Sequence, residues 1–483
     1  MAMRRTKLVL TAVIAAVLVM ATLSTLLVFF ALSRADFHKP IAIYADNYFT
    51  AANGVRSGSG TKSDPYVIED WKLHLARTDG CAIRIQDTKA FFVIRNIVIK
   101  GSITCGIFVK HAENGTIQNC TFKGLLFGLT LDTCADLSVR GNQFLGCVYG
   151  LDSISSVDCS LEMNTFEAGS GEGHIYSAGF HDCARITLLR NRFNTGGIVL
   201  EDMFNSRSNS SRSNLTTFVI GSDNVADGAP IRFYIDREGL TLEDFDLGQL
   251  FLVNCSDTNI KGVRFAPGTA GLSLAWCSNV TIADCVIPAK YAMWSLYAFE
   301  SYNFKIHSCN FSDAGLHIVF CSRFEMTHNS ISGSLGQPAD VYIQSCDNLT
   351  FVNNNITRCD TGIFSLEIDN ATICGNTISD CGRGLYFSSL SEKAPATSTH
   401  VYHNNFIDDV KNVEVSSSIS SWNRVNISWT DGYPSGGNYW SNYSGSDNFR
   451  GPNQDQTGSD GIGDAPYRID ATNLDQYPLM NPH

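Results

Sequence analysis

The sequence predicts an all-β solenoid, a parallel β-helix with coils of about 22 residues and a cap at each end. Three observations predict it. An apolar anchor recurs at Ile99, Phe122, Phe144, Phe166, Phe193, Phe265, Ile287, Phe311, Ile331, Ile356, Ile378 and Phe406, mostly 20 to 28 residues apart, with one gap of 72. Asn or Cys stands two residues before the anchor in ten of these twelve copies, from Cys120 and Asn142 to Asn404. Gly followed by an aliphatic stands six residues after it in five, beginning at Gly128, Gly150, Gly271, Gly362 and Gly384.

From the amino terminus, residues 1–35 read as a cytoplasmic stub and a transmembrane helix. Leu8 to Leu32 are 25 uncharged, mostly apolar positions behind Arg4, Arg5 and Lys7. A secretory core runs about 7–15 residues and a membrane span about 20, so the length favours an uncleaved signal-anchor over a signal peptide cut after Ser33. The positive flank stays in the cytoplasm and places everything after Arg34 outside. The expectation is a membrane-anchored, extracytoplasmic protein, on a cell surface or in a periplasm-like space.

Residues 36–80 are expected to form an N-terminal cap and first coil, 81–415 the repeats, and 416–483 a C-terminal cap. Runs such as FVIRNIVI (Phe92 to Ile99) and VTIADCVI (Val280 to Ile287) alternate and are β-branched, which is the pattern of short strands. A period of about 22 excludes TPR, ankyrin and WD40 arrays, which need roughly 33–45 residues per unit. Coils stack about 4.8 Å apart, so equivalent residues form ladders. The Phe/Ile ladder fills the core. An inward Asn bonds the next coil and suits a left-handed turn, and the Gly supplies conformations that other residues resist. All 16 cysteines lie between Cys81 and Cys381, many on repeat positions. There they suit ladder slots as small buried thiols, with a few bridges between neighbouring coils as the alternative.

The chain carries 35 basic and 47 acidic residues in 483, a net charge of -12. Without residues 1–35, which hold four cations and no acid, 31 basic residues face 47 acidic ones. Nucleic acid is excluded as a partner, because phosphate contacts need clustered Lys and Arg. The acid excess also repels polyanionic ligands unless a local basic site overrides it. At 44% hydrophobic residues the chain has ample material for a long core.

Candidate chemistry is sparse. Trp422, Trp429, Tyr433, Tyr439, Trp440 and Tyr443 crowd 22 positions, and aromatic faces of this kind stack on sugars. Burial in the cap that an open solenoid end requires accounts for the same residues. Asp455, Asp460 and Asp464 lie in a Gly-rich stretch resembling part of a calcium loop, with Gln456 and Gly458 at two expected oxygen positions. A glycoside hydrolase needs two carboxylates about 5–9.5 Å apart. Asp408 and Asp409 are adjacent, but strand neighbours point to opposite faces. His307 and His328 are spaced to stack on adjacent coils, the one hint of a metal pair. Among the sequons, Asn209 and Asn214 fall in a polar stretch, 205–214, read as a loop and therefore the best glycosylation candidates.

Three blocks carry a family resemblance. They are GSGTKSDPYVIEDW (Gly58 to Trp71) with FFVIRN (Phe91 to Asn96), DGAPIRFYI (Asp227 to Ile235) with GQLFLVNC (Gly248 to Cys255), and GNYWSNY (Gly437 to Tyr443) with DGIGDAPY (Asp460 to Tyr467) and YPLMNP (Tyr477 to Pro482). Together they resemble the archaeal NosD-like right-handed parallel β-helix proteins of the pectin-lyase-like class. The resemblance implies the handedness. It also implies a link to copper-site maturation, since the name-giving member is a periplasmic accessory of that kind; copper enters by family name alone. The expectation is a non-catalytic surface protein that binds a glycan or another surface protein. The alternatives are a polysaccharide lyase or glycoside hydrolase on the same fold, and, lower, a copper-site accessory.

Overall fold

In a computed structural model the described residues are 36–74, 80–101, 105–168, 176–204, 210–268, 271–288, 294–313, 315–333, 341–388, 397–416 and 425–483. The predicted membrane segment, Trp422 and Asn209 lie outside them. No helix among the described residues is long and apolar enough to cross a membrane. The chain divides into two compact units, Met1–Ser170 and Gly171–His483.

The first unit winds three parallel sheets, and each turn of chain visits each sheet once. One turn runs through Cys105–Ala112, Gly115–Gln118 and Thr121–Lys123, and the next through Phe127–Asp132, Ser138–Arg140 and Gln143–Cys147. The anchors fall on one rung, Ile99 beside Phe122, Phe144 and Phe166. Their rings stack at 4.6 Å, nearly parallel, as the strand spacing requires. Beside them Cys120 N–H donates to Asn142 Oδ1 at 2.9 Å, and Asn142 N–H donates to Asn164 Oδ1 at 3.0 Å. At the amino-terminal end, Val55–Ser57 pairs antiparallel with Tyr66–Glu69, and Phe49 stacks on Tyr66 at 4.4 Å. The antiparallel strand, rather than a coil strand, thus forms the edge of that sheet.

The second unit repeats the design. Ile287, Phe311, Ile331, Ile356, Ile378, Phe406 and Trp440 share one rung. Asn329, Asn354, Asn376, Asn404 and Asn438 form a continuous buried ladder, each N–H donating to the next Oδ1 at 2.8–3.0 Å. The ladder ends on Asp475, whose Oδ2 accepts Asn438 N–H at 2.7 Å and Trp440 Nε1–H at 2.9 Å. Phe406, Trp440 and Tyr467 stack at 4.5 and 4.3 Å and finish the core.

Several expectations change in detail. The 72-residue gap holds two further anchor rungs, Ala226 beside Phe193 and Leu247 beside Phe265. It also holds an insertion with a 3₁₀ turn, Glu201–Phe204, and a short helix, Ser210–Leu215. The 205–214 stretch is therefore partly helical, and Asn214 sits half-buried in that helix. The left-handed backbone belongs to the residue before the ladder Asn, whatever its type: φ is 53° at Met163, 54° at Arg190 and 56° at His328. The flanking rungs over-determine that turn. The repeat glycines serve space rather than torsion, since a Cβ on Gly128 would lie 2.5 Å from Gly150 O and 2.6 Å from the Phe144 ring. All 16 cysteines are thiols, 13 of them buried. Typically Sγ–H donates to the carbonyl two residues back, as from Cys120 to Gln118 O and from Cys277 to Ala275 O, both at 3.3 Å.

Candidate functional site

The most developed surface feature lies on the outward side of a sheet in the second unit. Leu296, Leu316, Val341, Ile363 and Leu385 point inward on one rung, so the residues after them point outward on the next. These are Tyr297, His317, Tyr342, Phe364 and Tyr386. His317 stacks on Tyr342 at 5.1 Å, Tyr342 on Phe364 at 5.2 Å, and Tyr386 closes on Phe364 at 4.8 Å with a 49° tilt. Trp294 lies 5.0 Å from Tyr297 and 5.5 Å from His317.

Burial falls along this ladder. Trp294 and Tyr297 are 6% and 5% exposed, whereas His317, Tyr342, Phe364 and Tyr386 are half-buried. On the preceding coils the outward rungs Phe251 and Ser273 are covered, and the 3₁₀ turn of the insertion packs against Leu272–Ala275. The stripe thus starts under cover and emerges toward solvent. Burial pushes the Tyr297 and Tyr342 hydroxyls up, so both stay protonated, and Tyr342 donates to Gln344 Oε1 at 2.9 Å. At the exposed end the Arg383 guanidinium lies 5.0 Å from the Tyr386 ring and contacts Asp360 at 3.6 Å and Glu414 at 3.7 Å. The surface is a periodic apolar stripe edged by hydroxyl, amide and guanidinium groups. The carboxylates of Asp360 and Glu414 at its edge face the Arg383 guanidinium.

Sequence reasoning missed these rings because each is a single position per coil with changing identity. The signal was the residue after each Gly-aliphatic pair. It is Thr130 and Asp152 in the first unit, and in the second Ser273 on one coil but His317, Phe364 and Tyr386 on others.

Of the predicted aromatic cluster, the five described rings pack within the carboxyl-terminal segment. Trp429 and Trp440 are 2% and 1% exposed, and Trp429 Nε1–H donates to Asn473 Oδ1 at 3.2 Å. Tyr443 donates to Ala465 O at 2.6 Å, Tyr433 lies 6.2 Å from Tyr477, and Tyr439 is half-buried beside Asn405. In the acidic loop, Asp464 accepts the N–H groups of Asn448 and Phe449 at 2.9–3.1 Å, and Asp460 accepts those of Gly451 and Ile462 at 3.1–3.2 Å. Asp455 is exposed. These carboxylates pin a turn through backbone donors. Register pairs His307 with Ala283 and Thr327, not with His328, whose Nε2 meets Asn353 Nδ2 at 3.3 Å.

Asp408 is exposed while Asp409 turns inward into the rung of Cys359 and Cys381. Its Oδ1 accepts Cys381 N–H at 2.8 Å, and its buried Oδ2 has no partner among the described residues. Burial pushes this carboxyl up to about 7, against about 3.9 in an unfolded chain. The sign follows: the neutral carboxyl stabilises the fold at low pH, and that stability is lost as pH rises through about 7. After discounting for its partial exposure the loss is roughly 2 kcal/mol. Denaturant unfolding of Asp409→Asn between pH 4 and 8 is expected to flatten this fall.

Copper requires His, Met and Cys to converge. Among the described residues no three His, Cys, Asp or Glu side chains come together as a metal cage. The buried thiols instead donate to backbone carbonyls along the ladders. The described residues do not fit a copper centre.

Comparison with known proteins agrees with the fold. The family profile "Periplasmic copper-binding protein (NosD)" matches residues 222–445, and "Right handed beta helix region" matches 76–233. No curated protein matches the chain in sequence. Among solved structures, the chain is similar to the mannuronan C-5 epimerase AlgE4 A-module of Azotobacter vinelandii, at 10% identity and TM-score 0.26 over 75% of this chain and 90% of that one. It is also similar to an alginate lyase from Paenibacillus sp. str. FPU-7, at 12% identity and TM-score 0.20 over 73% and 98%. A third is PfbA, a surface adhesin of Streptococcus pneumoniae, at 10% identity and TM-score 0.20 over 65% and 80%. Likeness this slight carries no activity across. The two overlapping profile matches and the stacked coils make the chain similar to the NosD-like right-handed parallel β-helix proteins.

Proposed function

We propose that this protein is a non-catalytic recognition protein that binds a glycan along the outward ladder His317, Tyr342, Phe364 and Tyr386, and that Leu8 to Leu32 anchor it in a membrane with the β-helix outside. The observation that supports this reading is the ladder itself, a half-exposed apolar stripe of one ring per coil with hydrogen-bonding groups at its edges. Rings that only filled a core would be covered, as Trp440 is. The ligand is a neutral chain. The acidic surface repels uronates, and Arg383 is already balanced by Asp360 and Glu414.

The test incubates the protein with neutral and uronate polysaccharides and scores retained binding, while mass spectrometry looks for shortened or unsaturated products. Retention on a neutral chain with no new products is the expected result. Time-dependent cleavage would replace this reading with a lyase or hydrolase.

A further inference from the structure

The first unit carries a feature that glycan recognition does not use. Cys81 and Cys105 occupy the same register position on adjacent coils, paired in parallel between Cys81–Thr88 and Cys105–Ala112. Neighbouring strands lie about 4.8 Å apart, within the Cα separations that a disulfide bridges. Both thiols are partly exposed. Other cysteines approach each other between coils, Cys285 with Cys309 and Cys321 with Cys346, but these are buried in the core of the second unit. The Arg84 guanidinium stands over this pair, with Nη2 3.5 Å from Cys81 Sγ and Cζ 4.7 Å from the Phe108 ring that holds it. Cys105 Sγ lies 3.8 Å from Thr130 Oγ1.

We propose that Cys81 and Cys105 form a peroxide-sensitive dithiol, in which Cys81 is the attacking sulfur and Cys105 the resolving one. A partly exposed thiol beside a guanidinium is the setting in which thiolates react. The Cys105 thiol donates toward Cys81 and, with Arg84, holds Cys81 down at about 7, while Cys105 itself is pushed up and keeps its proton. In the first step the Cys81 thiolate attacks one oxygen of hydrogen peroxide. An S–O bond forms, the O–O bond breaks, and hydroxide leaves to take up a proton as water. In the second step Cys105 sulfur attacks the Cys81 sulfenic acid, giving the S–S bond. The sulfenic oxygen leaves as a second water with the Cys105 proton. Two thiols are oxidised and one peroxide is reduced.

The test treats the reduced full-length protein with limiting hydrogen peroxide, alkylates what remains and maps the cysteines by mass spectrometry. A Cys81–Cys105 linked peptide, two hydrogens lighter, is expected before any other thiol is lost. In Cys105→Ser the Cys81 sulfenic acid is expected to persist and to be trapped by dimedone. Arg84→Gln is expected to slow the reaction about threefold at neutral pH, because the guanidinium supplies the smaller part of the lowering and the Cys105 thiol still donates to Cys81. Wild-type protein in which both cysteines stay alkylatable while buried thiols oxidise would overturn the proposal. So would Cys81 ending as a sulfinic acid beside an untouched Cys105, or Arg84→Gln reacting at the wild-type rate.

Discussion

Asn376→Ala is expected to lower the unfolding free energy of the second unit by about 4 kcal/mol, and Asn376→Cys by less than half as much. Asn376 Oδ1 accepts both N–H and Nδ2–H of Asn354, at 2.8 and 2.9 Å. Its Nδ2 donates to Phe351 O at 2.9 Å, Cys374 O at 3.1 Å and Asn404 Oδ1 at 2.9 Å. Truncation strands these groups where water does not reach, at about 1–3 kcal/mol for each unsatisfied group, with part of the loss recovered by relaxation. The chain already shows the milder substitution. Cys285 N–H points at Cys309 Sγ at 3.4 Å, so a thiol at this rung accepts the same bond at longer range. Equilibrium urea unfolding of the two variants measures the difference. Equal losses would mean that the ladder stabilises through volume rather than hydrogen bonding.

The second large effect lies where the ladder stops. Asp475 is buried, and burial pushes its carboxyl up to about 6 although four donors face it. Desolvation therefore outweighs the hydrogen bonds, yet the group is the terminal acceptor for Asn438 N–H and Trp440 Nε1–H. Asp475→Ala leaves both unpaired and is expected to cost about 2–5 kcal/mol, at about 1–3 kcal/mol for each stranded donor. The loss is local to the cap. Emission of Trp429 and Trp440 should shift to the red at a denaturant concentration well below that at which the coils unfold. Gly437 belongs to the same joint, since a Cβ there would meet Asp475 Oδ1 at 1.9 Å. Gly437→Ala should reproduce the early shift.

The architecture was legible because its period is carried by large, repeated residues. Phe122, Phe144 and Phe166 recur at one spacing, and Asn two residues earlier marks the turn. Periodicity failed where the rung changed character. Ala226 and Leu247 fill anchor positions with residues too common to read as anchors, and the Glu201 to Leu215 insertion breaks the count. The left-handed torsion was assigned one residue late, because Asn is a good left-handed residue in isolation while its neighbour takes that torsion in the coil. The site was harder to see. Composition drew attention to the dense aromatics near the carboxyl terminus, which cap the core. The outward ladder has one ring per coil, scattered over some 90 residues of sequence and joined only by register.

The most direct test of the recognition surface is the affinity for a neutral polysaccharide of wild-type protein and of Tyr342→Ala/Tyr386→Ala, with Tyr433→Ala in the cap as the comparison. Each ring of a sugar-contacting stripe is worth about 1.4 kcal/mol, or tenfold. The double variant should therefore bind about a hundredfold more weakly with its melting temperature little changed, while Tyr433→Ala binds as wild type. Undiminished binding by the double variant, or loss of binding in Tyr433→Ala alone, would place the ligand elsewhere and contradict the account.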